Sequence, residues 1–210
     1  MPRRYDAVLF DLLTALLDSW ALWNDVAGGE KSGRLWRAEY LRITYGTGTY
    51  RPYEDLVAEA AGSAGLSRGL AQELAQRYAE LRPWPGVRDS LAPLLSAGVP
   101  LAVVTNCSQT LGQVAAGCVG VRFDAVITAE RAGFYKPDPR PYRLAMAELG
   151  VGPDRSLFVA GSPYDLVGAS RVDLDVWWHD RSGMQPPVHA PSPLRRTTDL
   201  KDLAQFVLNA

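Results

Sequence analysis

Runs of apolar residues without any polar alternation are the main pattern along this chain. They cover residues 7–10, 101–104 and 157–160, and shorter apolar stretches lie at 123–128 and 175–178. A strand with one face in water would alternate apolar and polar residues, whereas these runs are typical of strands buried on both faces of a parallel sheet. The pattern therefore predicts five buried parallel strands.

Helical spacing of apolar residues separates these strands in the second half of the chain. It covers residues 87–97, 111–116, 140–149 and 166–172, and glycines follow two of these segments. Strands that alternate with helices form a parallel sheet with helices on both faces. We therefore expect an α/β fold, a doubly wound, Rossmann-like parallel sheet.

The segment between the first two predicted strands is different, because it contains only helical patterns. These cover 16–23, 34–45, 53–61 and 70–81, with a polar break at 28–33, and the segment ends at the breaker Pro83-Trp84-Pro85-Gly86. A crossover connection in an α/β unit needs only a dozen or so residues. The pattern thus predicts a small all-helical cap, residues 18–83, inserted into a core formed by 1–17 and 84–210.

Polar side chains stand where several of the predicted strands end. Asp11 follows the first strand, Thr105 and Asn106 the second, and Ser162 to Asp165 a later one. Carboxyl ends of parallel strands meet at one edge of the sheet, which is where ligands bind in such folds. Asp11 alone could equally cap the next turn. The clusters together predict a ligand site at this edge.

Composition narrows the function classes. The formal net charge of -1 over 210 residues offers no basic field for nucleic acid. Cys107 and Cys118 fit neither a metal spacing nor a disulfide framework, so we expect free thiols in a reducing compartment. No apolar run approaches membrane-spanning length or forms a signal-peptide core. We expect a cytoplasmic protein that binds neither nucleic acid nor membrane.

The polar clusters, in their order along the chain, resemble the motifs of the haloacid dehalogenase superfamily. Asp11, Thr105, Lys136 and Asp165 match the positions of its nucleophile, its Ser or Thr, its Lys and its later acid. Most members are magnesium-dependent phosphatases with a second Asp two residues after the nucleophile. This chain has Leu13 there, and Leu can neither protonate a leaving group nor bind a metal. Gly161 replaces another carboxylate, so we expect no metal and no cofactor.

Three stretches are similar to the L-2-haloacid dehalogenase branch, which keeps the Asp nucleophile and lacks the metal. They are Leu35-Trp36-Arg37, Tyr135-Lys136-Pro137-Asp138 with Tyr142, and Phe158 to Asp165. The resemblance implies a hydrolase for small 2-substituted carboxylic acids and a homodimer. Asp11 would attack Cα of the substrate to form an ester.

The resemblance also implies roles for the remaining residues. Arg37 and the Asn106 amide would stabilise the departing group. Lys136 would keep Asp11 ionised, and Asp165 would activate the water that hydrolyses the ester. The other expected residues are Thr105 and the backbone N–H groups after Asp11, at Leu12 and Leu13, for the substrate carboxylate; Tyr142 as an anchor of Lys136 or Asp11; Ser162 and Tyr164 in the binding site; and Leu13, Leu41, Tyr53 and Tyr164 as apolar walls.

Each residue also has a plainer interpretation. Arg37 could be a solvated surface charge, Asn106 and Asp165 could be helix caps, and Tyr142 could be core packing. The chain departs from the branch at Thr14-Ala15, where the branch has Gly-Thr, and at Ala160 and Ser162, where it has Ser and Asn. Three alternatives stay open: a magnesium-dependent phosphatase with degenerate ligands, a hydrolase that opens a strained cyclic amino acid, and a non-catalytic binding protein.

Overall fold

A six-stranded, wholly parallel sheet forms the centre of the protein in the computed structural model, which describes residues 3–209. The strand order is β3-β2-β1-β4-β5-β6, so the direction of winding reverses at β1. This confirms the predicted doubly wound sheet. The strands are β1 (Ala7–Phe10), β2 (Leu101–Thr105), β3 (Ala125–Thr128), β4 (Ser156–Ala160), β5 (Asp175–His179) and β6 (Arg195–Thr197).

Burial on both faces explains the unbroken apolar runs. All residues of β1, β2 and β4 are buried. Successive strand side chains point to opposite faces. Val8 and Phe10 accordingly pack into one hydrophobic cluster, and Leu9 between them packs into the cluster on the other face.

The prediction that the strand at 175–178 is the last one was wrong. β6 follows it and pairs with β5 in parallel, with Trp178 opposite Arg196. Two of the three residues of β6 are exposed, and two are arginines. An edge strand of this kind carries no apolar run, so the pattern of buried strands could not show it.

Helices cover both faces of the sheet. The helices outside the predicted cap segment 18–83 are α5 (Val87–Ser96), α6 (Gln109–Val119), α7 (Ala129–Ala132), α8 (Pro139–Leu149), α9 (Tyr164–Ser170) and α10 (Leu203–Leu208). The described bounds extend or shift the predicted helices by a few residues, as is usual at frayed ends. The sequence pattern missed α7 and α10, which are only four and six residues long.

The connection from β1 to β2 is helical, as predicted. It contains α1 (Ser19–Val26), α2 (Glu30–Thr47), α3 (Tyr53–Ser63) and α4 (Leu70–Gln76), followed by a short 3₁₀ turn at Tyr78–Glu80 and then by α5. The predicted break at 28–33 was too long, because α2 already begins at Glu30. The predicted helix 70–81 was also too long, because its α-helical part ends at Gln76.

The two ends of this helical segment lie side by side. Leu17 and Pro83 form an antiparallel bridge, and the Asp18 backbone N–H donates to Arg82 O at 2.8 Å. The segment therefore leaves the sheet and returns to it at one place. The cap boundaries 18–83 stay a prediction.

No helix among residues 3–209 combines the length and the apolar character needed to cross a bilayer.

Buried aromatic rings hold the helical segment together. The ring of Trp23 lies 4.6 Å from that of Trp36 and 5.4 Å from that of Tyr40, between centroids. The indole N–H of Trp36 donates to Val57 O at 2.9 Å and so ties α2 to α3. Trp36 is fully buried. The packing of α2, on which Arg37 lies, depends on this ring.

We predict that Trp36→Ala lowers the free energy of unfolding by about 3–5 kcal/mol, because it removes a buried ring and leaves a cavity. Urea denaturation followed by circular dichroism measures the change. Leu35→Ala is the matched control, since the neighbouring Leu35 side chain is half exposed. Equal losses in the two variants would contradict the assigned role of Trp36.

Candidate active site

Asp11 lies directly after β1, and its two carboxylate oxygens have different surroundings. Oδ2 accepts three hydrogen bonds, from Thr14 N at 2.9 Å, Thr14 Oγ1 at 2.6 Å and Ala15 N at 3.1 Å. Oδ1 lies 2.8 Å from Lys136 Nζ. The tight turn after the strand brings the two N–H groups back onto the carboxylate. Asp11 is buried and almost fully bonded.

Lys136 connects the two acidic residues of the site. Its Nζ lies 2.8 Å from Asp11 Oδ1 and 2.9 Å from Asp165 Oδ1, and all three side chains are buried. The lysine is held from behind by Asn106, whose Oδ1 accepts from Lys136 N at 2.8 Å and whose Nδ2 donates to Lys136 O at 3.1 Å. The structure therefore brings together the predicted Asp11, Asn106, Lys136 and Asp165.

The pKa values of the two carboxyl groups are shifted in opposite directions. Burial acts to raise the pKa of Asp11, but the Lys136 charge and the bonds from Lys136 and Thr14 outweigh it and hold that pKa below its ordinary value. Burial raises the pKa of Asp165 to about 6, against the opposing charge of Lys136, and the Asp11 charge adds to the rise. Burial acts to lower the pKa of Lys136, but both carboxylates together raise it. At neutral pH, Asp11 is ionised and Lys136 is protonated.

Tyr142 does not anchor Lys136 or Asp11, so that prediction was wrong. Its hydroxyl donates to Asp165 Oδ1 at 3.3 Å. The tyrosine reaches Asp165 because it packs on Phe158 of β4, with 5.1 Å between ring centroids. Gly168 permits this approach, since a Cβ at that position would overlap the tyrosine hydroxyl.

Asp165 is not a helix cap, because α9 begins at Tyr164 and places it within the first turn. Its Oδ2 is buried and has no hydrogen-bond partner among residues 3–209. Asn106 is not the cap of α6 either, since that position belongs to Ser108. Both capping interpretations are therefore wrong. The open Oδ2 of Asp165 is available to bond a ligand or a water molecule.

Arg37 is buried, so its interpretation as a solvated surface charge is wrong. Its guanidinium carbon lies 4.7 Å from the ring centroid of Trp20 and 5.1 Å from that of Trp23. Nε and Nη1 are buried without a hydrogen-bond partner in the described part of the chain. A buried cation with unused N–H groups is favourable only where it meets an anion or a π face.

One cavity joins these groups between the sheet edge and α2. Most of the predicted site residues line it; Leu12, Tyr53 and Tyr142 do not. Its lining consists of Asp11, Leu13, Thr14, Arg37, Tyr40, Leu41, Thr44, Tyr45, Thr105, Asn106, Lys136, Ser162, Tyr164, Asp165 and Met184. Leu12 is fully buried in the core, and Tyr53 is a buried residue whose hydroxyl lies 2.6 Å from that of Tyr78. The expectation that Tyr53 forms a wall of the site was wrong.

Sequence reasoning missed several cavity residues. Tyr40, Thr44 and Tyr45 follow Arg37 at helical spacings of three, seven and eight, so the face of α2 that carries Arg37 could have indicated them. Thr14 is visible only as a departure from the family motif. Met184 lies in an irregular loop, where no pattern points to it.

A haloacid dehalogenase-like hydrolase family matches residues 5–173. The chain belongs to this family. It is 30% identical to (S)-2-haloacid dehalogenase H-109 of Pseudomonas putida, over 97% of this chain and 98% of that enzyme. The structure of L-2-haloacid dehalogenase from Xanthobacter autotrophicus superposes with a TM-score of 0.83 at 26% identity, covering 97% of this chain and 98% of that one. The same enzyme with chloropropionic acid covalently bound gives 0.82 at 25% identity over the same shares.

The site residues of this family member do not fit the magnesium ion of the family's phosphatases. Mg²⁺ needs several hard oxygen ligands in a near-octahedral set. Here Lys136 Nζ lies between the Asp11 and Asp165 carboxylates, and Leu13 and Gly161 supply no further oxygen side chain. Residues 3–209 contain no group of three His, Cys, Asp or Glu side chains arranged to hold a metal. A magnesium-dependent phosphatase is therefore not favoured.

We predict that Lys136→Met lowers the free energy of unfolding by about 3–5 kcal/mol at pH 7, because two buried carboxylates lose their shared cation. Without the Lys136 charge, the pKa values of Asp11 and Asp165 in the folded protein rise above those in the unfolded chain. Lowering the pH toward 5 should therefore restore stability as the two carboxyl groups are protonated. Urea unfolding at the two pH values tests this. The triple variant Asp11→Asn, Lys136→Met, Asp165→Asn is the control and should show no such recovery.

Proposed function

We propose that this hydrolase is a metal-independent dehalogenase of small 2-haloacids that works through an ester on Asp11. One observation carries the proposal: a lysine-bound, ionised carboxylate faces a cavity that also contains a buried guanidinium with unused N–H groups. The first group is a nucleophile, and the second is a receptor for a departing anion. The relatives named above support the choice of substrate.

In the first step, an Asp11 oxygen forms a bond to Cα of the substrate, and the carbon–halogen bond breaks. The halide leaves with the electron pair toward Arg37, whose charge favours the transition state. Asn106 lines the same cavity, although its amide also holds the Lys136 backbone. Its predicted contact with the leaving group stays a proposal.

The substrate carboxylate has to be held beside Asp11 with its own charge compensated. Thr105 and Ser162 line the cavity with hydroxyl groups, and the backbone N–H groups of Leu12 and Leu13 follow the nucleophile in the turn. Hydroxyl and backbone N–H donors at a strand end suit a small carboxylate. We assign substrate binding to Thr105, Ser162 and the Leu13 N–H, which belong to residues that line the cavity, and not to Leu12, which does not line it.

Asp165 is the proposed base for ester hydrolysis. Its Oδ1 is held by Lys136 and Tyr142, whereas its Oδ2 has no partner in the described residues. A carboxyl with a pKa of about 6 is ionised at neutral pH and basic enough to accept a proton from water. The open Oδ2 and the raised pKa support the role of Asp165 in the second step.

Apolar side chains separate this chemistry from bulk water. Leu13 is buried beneath the cavity, Leu41 packs from α2, and the rings of Tyr45 and Tyr164 meet edge to face with centroids 5.0 Å apart. Excluding water strengthens the interactions of charges inside the site. This wall also limits the space beside Cα, which supports small substrates.

We retain two further proposals. A cytoplasmic location is supported by Cys107 and Cys118, which are both free thiols in the structure. A homodimer is supported by the family resemblance alone. Gel filtration with light scattering tests the second.

We predict that the protein releases chloride from 2-chloropropionate in the presence of a chelator, and that Asp11→Asn releases none above background. Ion chromatography measures the chloride. Turnover in heavy-oxygen water should place the label in Asp11, as shown by peptide mass spectrometry, because the water oxygen enters the carboxylate. Hydrolysis of azetidine carboxylate or of phosphate esters, without any release from a panel of 2-haloacids, would contradict the proposal.

We predict that kcat declines below pH 6, because Asp165 has to be ionised to accept a proton and its pKa is about 6. Asp11 stays ionised over this range, since its pKa is lowered. The pH profile of steady-state halide release measures the effect. Tyr142→Phe is the informative control, because its hydroxyl lowers the pKa of Asp165, and its loss should move the decline to higher pH. A decline near pH 4, the ordinary range of a carboxyl, would contradict this assignment.

A further inference from the structure

The two oxygens of Asp11 are prepared for different tasks. Oδ2 has three donors, namely two backbone N–H groups and the Thr14 hydroxyl, whereas Lys136 is the one donor to Oδ1 among residues 3–209. Three donors at 2.6–3.1 Å exceed the two lone pairs of a carboxylate oxygen. An arrangement of two N–H groups and a hydroxyl around one oxygen is the geometry that stabilises an oxyanion.

The Thr14 hydroxyl stands in an unusual place for this family. The dehalogenase branch has Gly-Thr where this chain has Thr14-Ala15, so the hydroxyl lies one residue closer to the nucleophile. The shift needs space, and Gly161 provides it. A Cβ on Gly161 would overlap Ala15 N, the carbonyl carbon of Thr14 and Thr14 Oγ1. Gly161 therefore permits the close approach of the turn that carries Thr14.

The turn that carries Thr14 is held from the far side as well. His179 Nδ1 lies 2.7 Å from Ala15 O, and the buried imidazole also lies 3.3 Å from Thr198 O through Nε2. Trp84 Nε1 donates to Thr14 O at 3.0 Å. Thr14 O belongs to the same peptide unit as the Ala15 N–H, and Leu13 O, which accepts from Ser19 Oγ, belongs to that of the Thr14 N–H. These contacts therefore fix the direction of the two N–H groups on Oδ2, and His179 holds the end of the turn.

We propose, resting on the function proposed above, that Asp11 attacks through Oδ1 and that Thr14 is a catalytic residue for hydrolysis of the resulting ester. In that ester Oδ2 is the carbonyl oxygen. Water attacks Cγ, gives one proton to Asp165, and the π pair moves to Oδ2, where the Thr14 hydroxyl and the two N–H groups stabilise the charge.

Collapse of this tetrahedral intermediate releases the product and restores Asp11. The electron pair on Oδ2 reforms the carbonyl, and the Cγ–Oδ1 bond breaks. Oδ1 leaves as the hydroxyl oxygen of the hydroxy acid. Lys136, 2.8 Å from Oδ1, supplies the proton and regains it from Asp165, 2.9 Å away. Asp11 is left protonated and loses that proton to solvent. The sum is haloacid plus water giving hydroxy acid, halide and one proton.

The two steps should respond differently to loss of the Thr14 hydroxyl. During attack, negative charge leaves the Asp11 carboxylate for the halide, so donors on Oδ2 favour the ground state. During hydrolysis, charge returns to Oδ2, so the same donors favour the transition state. Only interactions that strengthen in the transition state accelerate a step. The hydroxyl therefore assists hydrolysis and not attack.

Thr14→Val tests this, because valine keeps the shape and removes the hydroxyl. We predict an undiminished first turnover of halide release, a steady-state kcat reduced about 10²- to 10³-fold, and ester accumulated on Asp11 in peptide mass spectra of quenched reactions. Thr14→Ser should restore kcat to within a few fold. Thr14→Ala provides the same test without a β-branched side chain, should the valine variant fail to fold.

The outcomes separate this assignment from the proposed function. Halide release by the wild-type protein, with kcat within twofold in both Thr14→Val and Thr14→Ala, overturns the role of Thr14 only. Equal slowing of both steps without accumulated ester also overturns it, since a structural role would act on both. Absence of halide release by the wild-type protein overturns the proposed function and this assignment with it.

Discussion

A single buried ammonium group between two carboxylates is the interaction on which the site depends. Lys136 Nζ lies within 3 Å of both Asp11 and Asp165, and none of the three side chains is appreciably exposed. Removing three charges from water is costly, and a buried network is retained only when its members are well bonded. The Asn106 amide, which holds the lysine backbone through two hydrogen bonds, and the turn around Asp11 meet this condition.

Asp11 and Asp165 share the Lys136 cation but differ in pKa, because their other hydrogen-bond partners differ. Asp11 receives three donors on Oδ2 in addition to Lys136, which outweighs burial and favours the ionised form. Asp165 receives only Tyr142 and keeps one oxygen without a partner in the described residues, so burial dominates and raises its pKa. Two carboxyl groups with their pKa values moved apart can serve as nucleophile and as base. The difference arises from neighbouring donors and not from the identity of the acids.

The sequence was informative where the physics is local or periodic. Unbroken apolar runs predict β1, β2 and β4 because both faces of these strands are buried, and Asp11 follows as the first polar residue at a strand end. The pattern failed for β6, an exposed edge strand with two arginines, and for the partner of Tyr142, because a hydroxyl contact across α8 and α9 depends on packing angles. In the sequence, Thr14 was noticeable only as a departure from a motif. Its hydrogen bond to Asp11 could be recognised only from the three-dimensional structure.

The side chain at position 13 decides how many negative charges Lys136 has to compensate. A single ammonium on Oδ1, directional and monovalent, keeps Asp11 charged while its own N–H groups can also reach Asp165. A second aspartate in place of Leu13 would add a negative charge against an apolar wall, and the ammonium could not compensate all three. An apolar side chain at position 13 therefore keeps the number of buried negative charges within what Lys136 can compensate.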